Sequence, residues 1–195
     1  HDVEGSHPAG GGRGSHHEAS ADEAARILRE EGWSEERIER VLTMTNIGYL
    51  GTVRKDGSPI VSPLEFYFDH FAIYIFPQPN SPKVWAIRRD PRITLAVANP
   101  MAGWACVMGC QVFGRGTLLD PGTPEWERGM KVFKWPASAF ELGKIGGSPP
   151  RGQLLRLDPE RIVYTEHMMR KYGYAPRQIW LRDSDTTAVV PGGNV

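Results

Sequence analysis

A chain of 195 residues is long enough for one domain with a substantial core, or for a domain with a short appendage. Its 23 basic and 23 acidic residues cancel, so no net field draws in nucleic acid or an anionic membrane, and neither is expected as a partner. Apolar residues make up 40% and charged residues 24%, an ordinary globular mix, and no apolar run approaches the ~20 residues of a membrane span.

Residues 1–20 read as a flexible Gly/His-rich arm that holds four of the six histidines, His1, His7, His16 and His17. The arm lacks the apolar core of a secretion signal, which points to a cytoplasmic location. Cysteine usage agrees. Cys106 and Cys110 stand four apart in a β-prone run, where they would lie about 13 Å from each other. A disulfide needs about 7 Å, so they read as buried, reduced thiols. No second pair of Cys or His completes a metal site, and none is expected.

The first ordered domain is expected over residues 21–183, with a loose tail at 184–195. Ala24, Ile27 and Leu28 recur at helical spacing over Ala21–Glu31, and Gly32 closes that helix. Ser34 then offers an N-cap with Glu35 and Glu36 in the first turn, and Ile38, Val41 and Leu42 form the apolar stripe of a second helix ending near Asn46. From Ile47 the period becomes two. Gly48–Arg54 and Pro59–Phe68 read as strands around the Asp56-Gly57 turn, and Phe71–Phe76 follows as a third, which predicts an antiparallel meander. Ser81 and Pro82 open a short helix that Pro91 limits to about two turns. The apolar Arg92–Ala98 makes a central strand, and Trp104–Leu119 makes a long one interrupted by Gly109, Gly114 and Gly116. A helix over Pro124–Phe133, an irregular stretch at 134–150, and strands at Gln153–Glu166 and Gln178–Arg182 complete the chain. Trp104 and Trp180 read as core or interface residues, and Trp126, Phe133 and Trp135 as a lid. Six or seven strands with short helices at their connections imply a closed or nearly closed barrel, because closure removes exposed edges.

Ser81-Pro82-Lys83 carries the chemistry. A helix start presents unpaired backbone N–H groups and partial positive charge, and here a hydroxyl and an ammonium accompany them, a set suited to phosphate. Taken alone, a serine at a helix start with a lysine nearby is usually just a cap, and Arg88 and Arg89 also read as a solvated helix face.

The order of several motifs resembles the pyridoxamine 5′-phosphate oxidase-like family of split β-barrels over about Glu35 to Glu166. They are Gly48-Tyr-Leu-Gly-Thr-Val53, Asp56-Gly57-Ser58-Pro59, Val61-Ser62-Pro63, Ser81-Pro82-Lys83, Arg88-Arg89-Asp90-Pro91-Arg92 and Gln111-Val-Phe-Gly-Arg-Gly116. The resemblance implies a mostly β, α+β fold: a six- to seven-stranded antiparallel split β-barrel with peripheral helices. It also implies a homodimer with FMN at the subunit interface. Carried onto this chain, Ser81 and Lys83 would hold the phosphate with Arg54 or Arg88 helping. Val61, Ser62 and Pro63 would run beside the flavin ring, and Gln111, from this subunit or its partner, would meet the ring's polar edge. The expected activity is that of an FMN-dependent oxidoreductase on a small molecule, with the chemistry carried by the ring and no catalytic side chain assigned. The alternatives are a deazaflavin-dependent reductase and a non-catalytic flavin- or haem-binding protein, with His167 as the residue that would ligate haem. Ile179-Trp180-Leu181-Arg182 departs from the basic substrate-binding end of pyridoxamine phosphate oxidase, so the expected substrate is a different small molecule.

Overall fold

A computed structural model describes residues 33–100, 103–136, 143, 149–172, 175–182 and 188–189. The N-terminal arm and the helix expected at Ala21–Glu31 lie outside them, as does most of the irregular stretch at 134–150. The described residues belong to two units. One is drawn from His1–Met44, Ala98–Gln111 and Arg161–Val195, the other from Thr45–Val97 and Val112–Glu160.

In the second unit, β1 (Ile47–Val53) alternates as a strand with one covered face must: Gly48, Leu50 and Thr52 are buried while Ile47, Tyr49 and Val53 are exposed. It pairs antiparallel with β2 (Pro59–Glu65) across the Asp56-Gly57 turn, where Gly57 takes the left-handed φ of 87° that glycine tolerates best. Asp56 accepts from the Ser58 hydroxyl (2.7 Å) and N–H (3.0 Å), bonds that hold its carboxyl below the usual range. On its other side β1 pairs with β5 (Arg92–Ala98), placing Leu50 opposite Leu95 in the core. A second hairpin, β3 (Tyr67–Asp69) and β4 (Ala72–Ile75), pairs through β4 with β7 (Leu154–Glu166). With β6 (Met108–Leu119), the strand order is β2-β1-β5-β6-β7-β4-β3.

That order corrects the expected meander. The run Pro59–Phe68 is not one strand: it breaks at Phe66, which is buried and donates its N–H to Asn46 O (2.8 Å). Strands β2 and β3 consequently stand at opposite ends of the strand order although a single residue separates them in sequence. So short a link between the two ends of a seven-strand path requires the sheet to curl back toward itself. The result is the mostly antiparallel fold, with peripheral helices, of a split β-barrel.

Gly114 marks the closest approach within this sheet. A Cβ built there would sit 2.0 Å from the Asp158 carbonyl oxygen of β7, so the glycine is required by proximity. Helix α3, at Pro124–Val132 in chain order, starts where Thr123 accepts from the Trp126 N–H (3.2 Å). Its inner face contributes Trp126 and Met130 to a cluster with Leu119, Phe133 and Leu154, against which Trp135 packs. Trp126 and Phe133 are thus core residues and not a lid; the buried indole N–H donates to Gly152 O (2.8 Å).

The first unit contains α1 (Trp33–Met44), whose stripe of Ile38, Val41 and Leu42 is buried as its spacing predicts. The Arg37 guanidinium pairs with Glu166, which also accepts from the Tyr164 hydroxyl (2.6 Å). Burial, with that carboxylate alongside, pushes the Tyr164 phenol well above its ordinary range. Strand β8 (Arg177–Leu181) pairs with the second half of β7, and Trp180 Nε1 donates to Glu35 (3.3 Å). Ala188–Val189 forms a short β9 on β8, so the segment expected to be loose contains paired backbone.

The long strand expected from Trp104 begins only at Met108. Asn99 explains the delay: its side chain donates to Cys106 O (2.9 Å) and accepts from the Met108 N–H (2.9 Å), holding Trp104–Cys106 in a 3-10 turn. Trp104 is accordingly 70% exposed, not core, with its ring 4.8 Å from that of His167. Cys106 is likewise exposed, against expectation, whereas Cys110 is buried and its thiol is pushed up to about 12 by desolvation. Iodoacetamide at mildly alkaline pH is therefore expected to label Cys106 in the native protein and Cys110 only after unfolding, as read by mass spectrometry of the peptides. The same burial makes the unfolded thiol ionise first, so the Cys110 contribution to stability falls as pH rises from the ordinary thiol range toward 12. Among the described residues, no helix is long and apolar enough to cross a membrane, and no group of three or more His, Cys, Asp or Glu stands ready to hold a metal.

Candidate functional site

Helix α2 (Pro82–Arg89) follows β4 and precedes β5. Pro82 occupies the first helical position, where a missing N–H costs nothing, and Val84, Ala86 and Ile87 are buried. Ser81 has the extended backbone of an N-cap, but its hydroxyl does not cap. Its carbonyl accepts the first bonds of the helix, from the N–H groups of Val84 (3.0 Å) and Trp85 (3.3 Å). The Ser81 Oγ is left buried with no hydrogen-bond partner among the described residues. The N–H and the ammonium of half-buried Lys83 likewise meet no partner among them. A hydroxyl, an amide and an ammonium at one helix start thus have hydrogen-bonding capacity to spare.

The Arg88-Arg89-Asp90-Pro91-Arg92 motif resolves into separate structural roles. Arg89 donates to the carbonyl of Val53 and so ties α2 to the end of β1. Arg92 clasps Asp90 through two nitrogens, the shortest contact being 2.7 Å, and holds that carboxyl down to about 2. Arg88 lies two turns from Ser81; its guanidinium donates to Gln153 Oε1 (2.8 Å) and rests 4.9 Å from the centre of the Trp85 ring. A cavity of about 280 Å³ opens beside Arg88, and Asn80, Pro79, Pro121 and Arg151 also line it. Arg151 was not among the residues the sequence singles out, because it sits in a Gly/Pro-rich stretch with no period to read.

Strand β2 ends the strand order and presents an edge. The N–H of Arg54 donates to Ser58 O and that of Phe66 to Asn46 O, so the even-numbered residues carry the bonds between β1 and β2. By the alternation of an antiparallel ladder, Pro59, Val61 and Pro63 turn their backbone to the open edge. Prolines have no N–H, which leaves the Val61 amide as the donor between them and also discourages another strand from adding there. The Val61 side chain is 66% exposed, Pro63 is exposed opposite Tyr49, and half-buried Ser62 faces the Leu50 side. Arg54 lies exposed just past β1 in the same unit. Gln111 belongs to the first unit, where it is exposed on β6.

A curled antiparallel sheet with a short helix between β4 and β5 defines a split β-barrel protein. The chain belongs to the pyridoxamine 5′-phosphate oxidase family, whose model matches residues 34–166. No curated protein matches the chain in sequence. In structure it resembles a heme binding protein from Mycobacterium smegmatis, with a TM-score of 0.59 at 18% identity over 75% of this chain; the chain spans 57% of that protein's length. It also resembles a FAD-binding protein from Mesorhizobium loti (TM-score 0.53, 23% identity, covering 66% of this chain and 91% of that one). A third likeness is to General Stress Protein 26 from Bacillus anthracis (TM-score 0.52, 21% identity, 67% and 92% covered). At these identities the structural likenesses speak to the fold alone.

Proposed function

We propose that this protein binds FMN and acts in the cytoplasm as an FMN-dependent oxidoreductase on a small molecule. The observation that carries the proposal is the start of α2, where the Ser81 hydroxyl and the Lys83 amide and ammonium lack partners among the described residues. Such a donor set fits a phosphate monoester, which supplies the acceptor oxygens and negative charge these groups need. Lys83 and the helix dipole would bind the phosphate, and Ser81 would donate to it after turning outward. The Val61 N–H, held at the β2 edge between two prolines, would donate to a polar atom of the ring. Arg54 would add charge from the end of β1. When bound, the flavin supplies hydride or electron transfer. The chain's own residues bind it, orient it and shape the surface on which a substrate rests.

The same reading makes the protein a homodimer. Tyr49, Val53, Val61 and Pro63 form an exposed, largely apolar face on β1 and β2, of the kind a second copy covers. The resemblance also assigns Gln111, exposed on β6 in the first unit, to the ring's polar edge.

The visible spectrum of the purified protein after incubation with FMN tests the proposal. Retained flavin bands with a dimeric mass by analytical ultracentrifugation, and bleaching by NADH or NADPH without oxygen, are the expected results. A Soret band with haem, or uptake of a deazaflavin with no retention of FMN, overturns it. Ser81→Ala refines the assignment. Because no cap bond is lost, its unfolding free energy in urea is expected to stay within about 0.5 kcal/mol of the parent, where loss of an ordinary serine cap costs about 1 kcal/mol. Its FMN affinity should fall.

A further inference from the structure

We infer that the cavity between α2 and the start of β7 is a second anion site, taking the doubly charged oxyanion group of a small phosphomonoester. It lies wholly within the second unit and is lined by neither Ser81, Lys83 nor any residue of β2; Asn80 and Val84, which flank them in the chain, do line it, so Lys83→Ala is the variant that separates it from the proposed cofactor phosphate site.

Four observations carry the inference. First, two arginines, Arg88 and Arg151, line one cavity of about 280 Å³, and no acidic residue lines it among the described residues. Second, Arg88 is held in place before any ligand arrives. Its guanidinium donates to Gln153 Oε1 (2.8 Å), Gln153 Nε2 donates to Asp120 (2.7 Å), and the Trp85 ring supports it at 4.9 Å. This relay uses the Asp120 carboxylate to fix Gln153, and most of the Arg88 donors stay available. A guanidinium fixed in this way loses little freedom on meeting an oxyanion. Third, Arg151 is exposed and has no hydrogen-bond or ion-pair partner among the described residues, so its charge is uncompensated there. Fourth, the wall is stiff. Pro79 and Pro121 contribute rigid apolar surface, and Asn80 holds a left-handed φ of 60° while its carbonyl accepts from Trp85 Nε1 (3.2 Å). The Asn80 side-chain amide has no partner among the described residues and adds a neutral donor at the rim. Two cations match the two charges of a phosphomonoester, and two planar forks match its several acceptor oxygens.

Trp85 supplies the reporter. Its indole N–H bonds Asn80 and its ring lies against Arg88, so an anion in the cavity should shift the indole resonance in a proton–nitrogen correlation spectrum. Full-length protein is titrated with inorganic phosphate, sodium chloride holding ionic strength constant, and Trp85→Phe assigns the signal. A saturable shift is expected in the parent, with affinity about tenfold weaker in Arg151→Gln. The Lys83→Ala protein should bind about as tightly as the parent, because Lys83 does not line the cavity. Arg151 is exposed, so its substitution leaves the core intact and the remaining resonances confirm the fold. The inference is overturned by the absence of a saturable shift, by unchanged affinity in Arg151→Gln, or by loss of the shift in Lys83→Ala, the last placing the anion at the start of α2 instead. None of these outcomes depends on FMN being the cofactor.

Discussion

Gly114→Ala is expected to lower the unfolding free energy by about 3 kcal/mol, the upper part of the usual range for overpacking. The new Cβ would lie 2.0 Å from the carbonyl oxygen of Asp158 and 2.9 Å from Cα of Pro159, and both of these are backbone atoms. A flexible side chain in that place would swing aside, but backbone inside a hydrogen-bonded sheet moves only by parting the strands. The cost therefore falls on the ladder between β6 and β7, which lie side by side in the strand order. For a chain of this length a loss of this size lowers the melting temperature by roughly 6–12 °C. Gly103→Ala is the matched control, since a Cβ there meets nothing within 4 Å. Thermal melts of the two variants should differ accordingly. A Gly114→Ala protein that melts with its parent would show that the strands approach less closely than described.

The second large effect is on binding. Lys83→Ala should weaken FMN by about 1.5–3 kcal/mol, roughly 10- to 150-fold in Kd, as for the loss of a charge-assisted hydrogen bond. Among the described residues Lys83 makes no side-chain bond, and the buried residues of α2 are Val84, Ala86 and Ile87, so stability should change little. The titration is read by flavin fluorescence quenching. Lys83→Arg should recover part of the affinity, and the difference between parent and alanine variant should shrink as salt rises, because screening removes the charge's advantage. Equal affinities for parent and alanine variant at low salt would remove Lys83 from the phosphate site and with it the main support for FMN.

Much of the local structure was legible in the chain before any coordinates. The alternation of Gly48, Leu50 and Thr52 against Ile47, Tyr49 and Val53, the Asp56-Gly57 turn, and the proline opening of α2 each depend on a residue and its near neighbours. Backbone preference and burial periodicity act over that range. The family was legible for a related reason: the motifs that carry the resemblance are short local runs, and the family's model matches residues 34–166. The direction of the Ser81 hydroxyl was not legible. Serine before Pro82 reads as a side-chain cap, yet its hydroxyl makes no cap bond.

Pairing between distant strands is a different kind of question. Three strands in succession suggest neighbours, and nothing local in Pro59–Asp69 says that the chain turns at Phe66 and sends β3 to the far end of the strand order. That outcome reflects where the Phe66 ring finds cover and which backbone groups Asn46 satisfies, and both depend on residues remote in sequence. The same holds for Trp104, exposed because Asn99 claims the backbone beyond it, and for Arg151, which acquires meaning only from the cavity it shares with Arg88. Short-range order thus belongs to the residues themselves, while closure, cavities and unmet hydrogen-bonding capacity arise when segments far apart in the chain compete for the same space and the same partners.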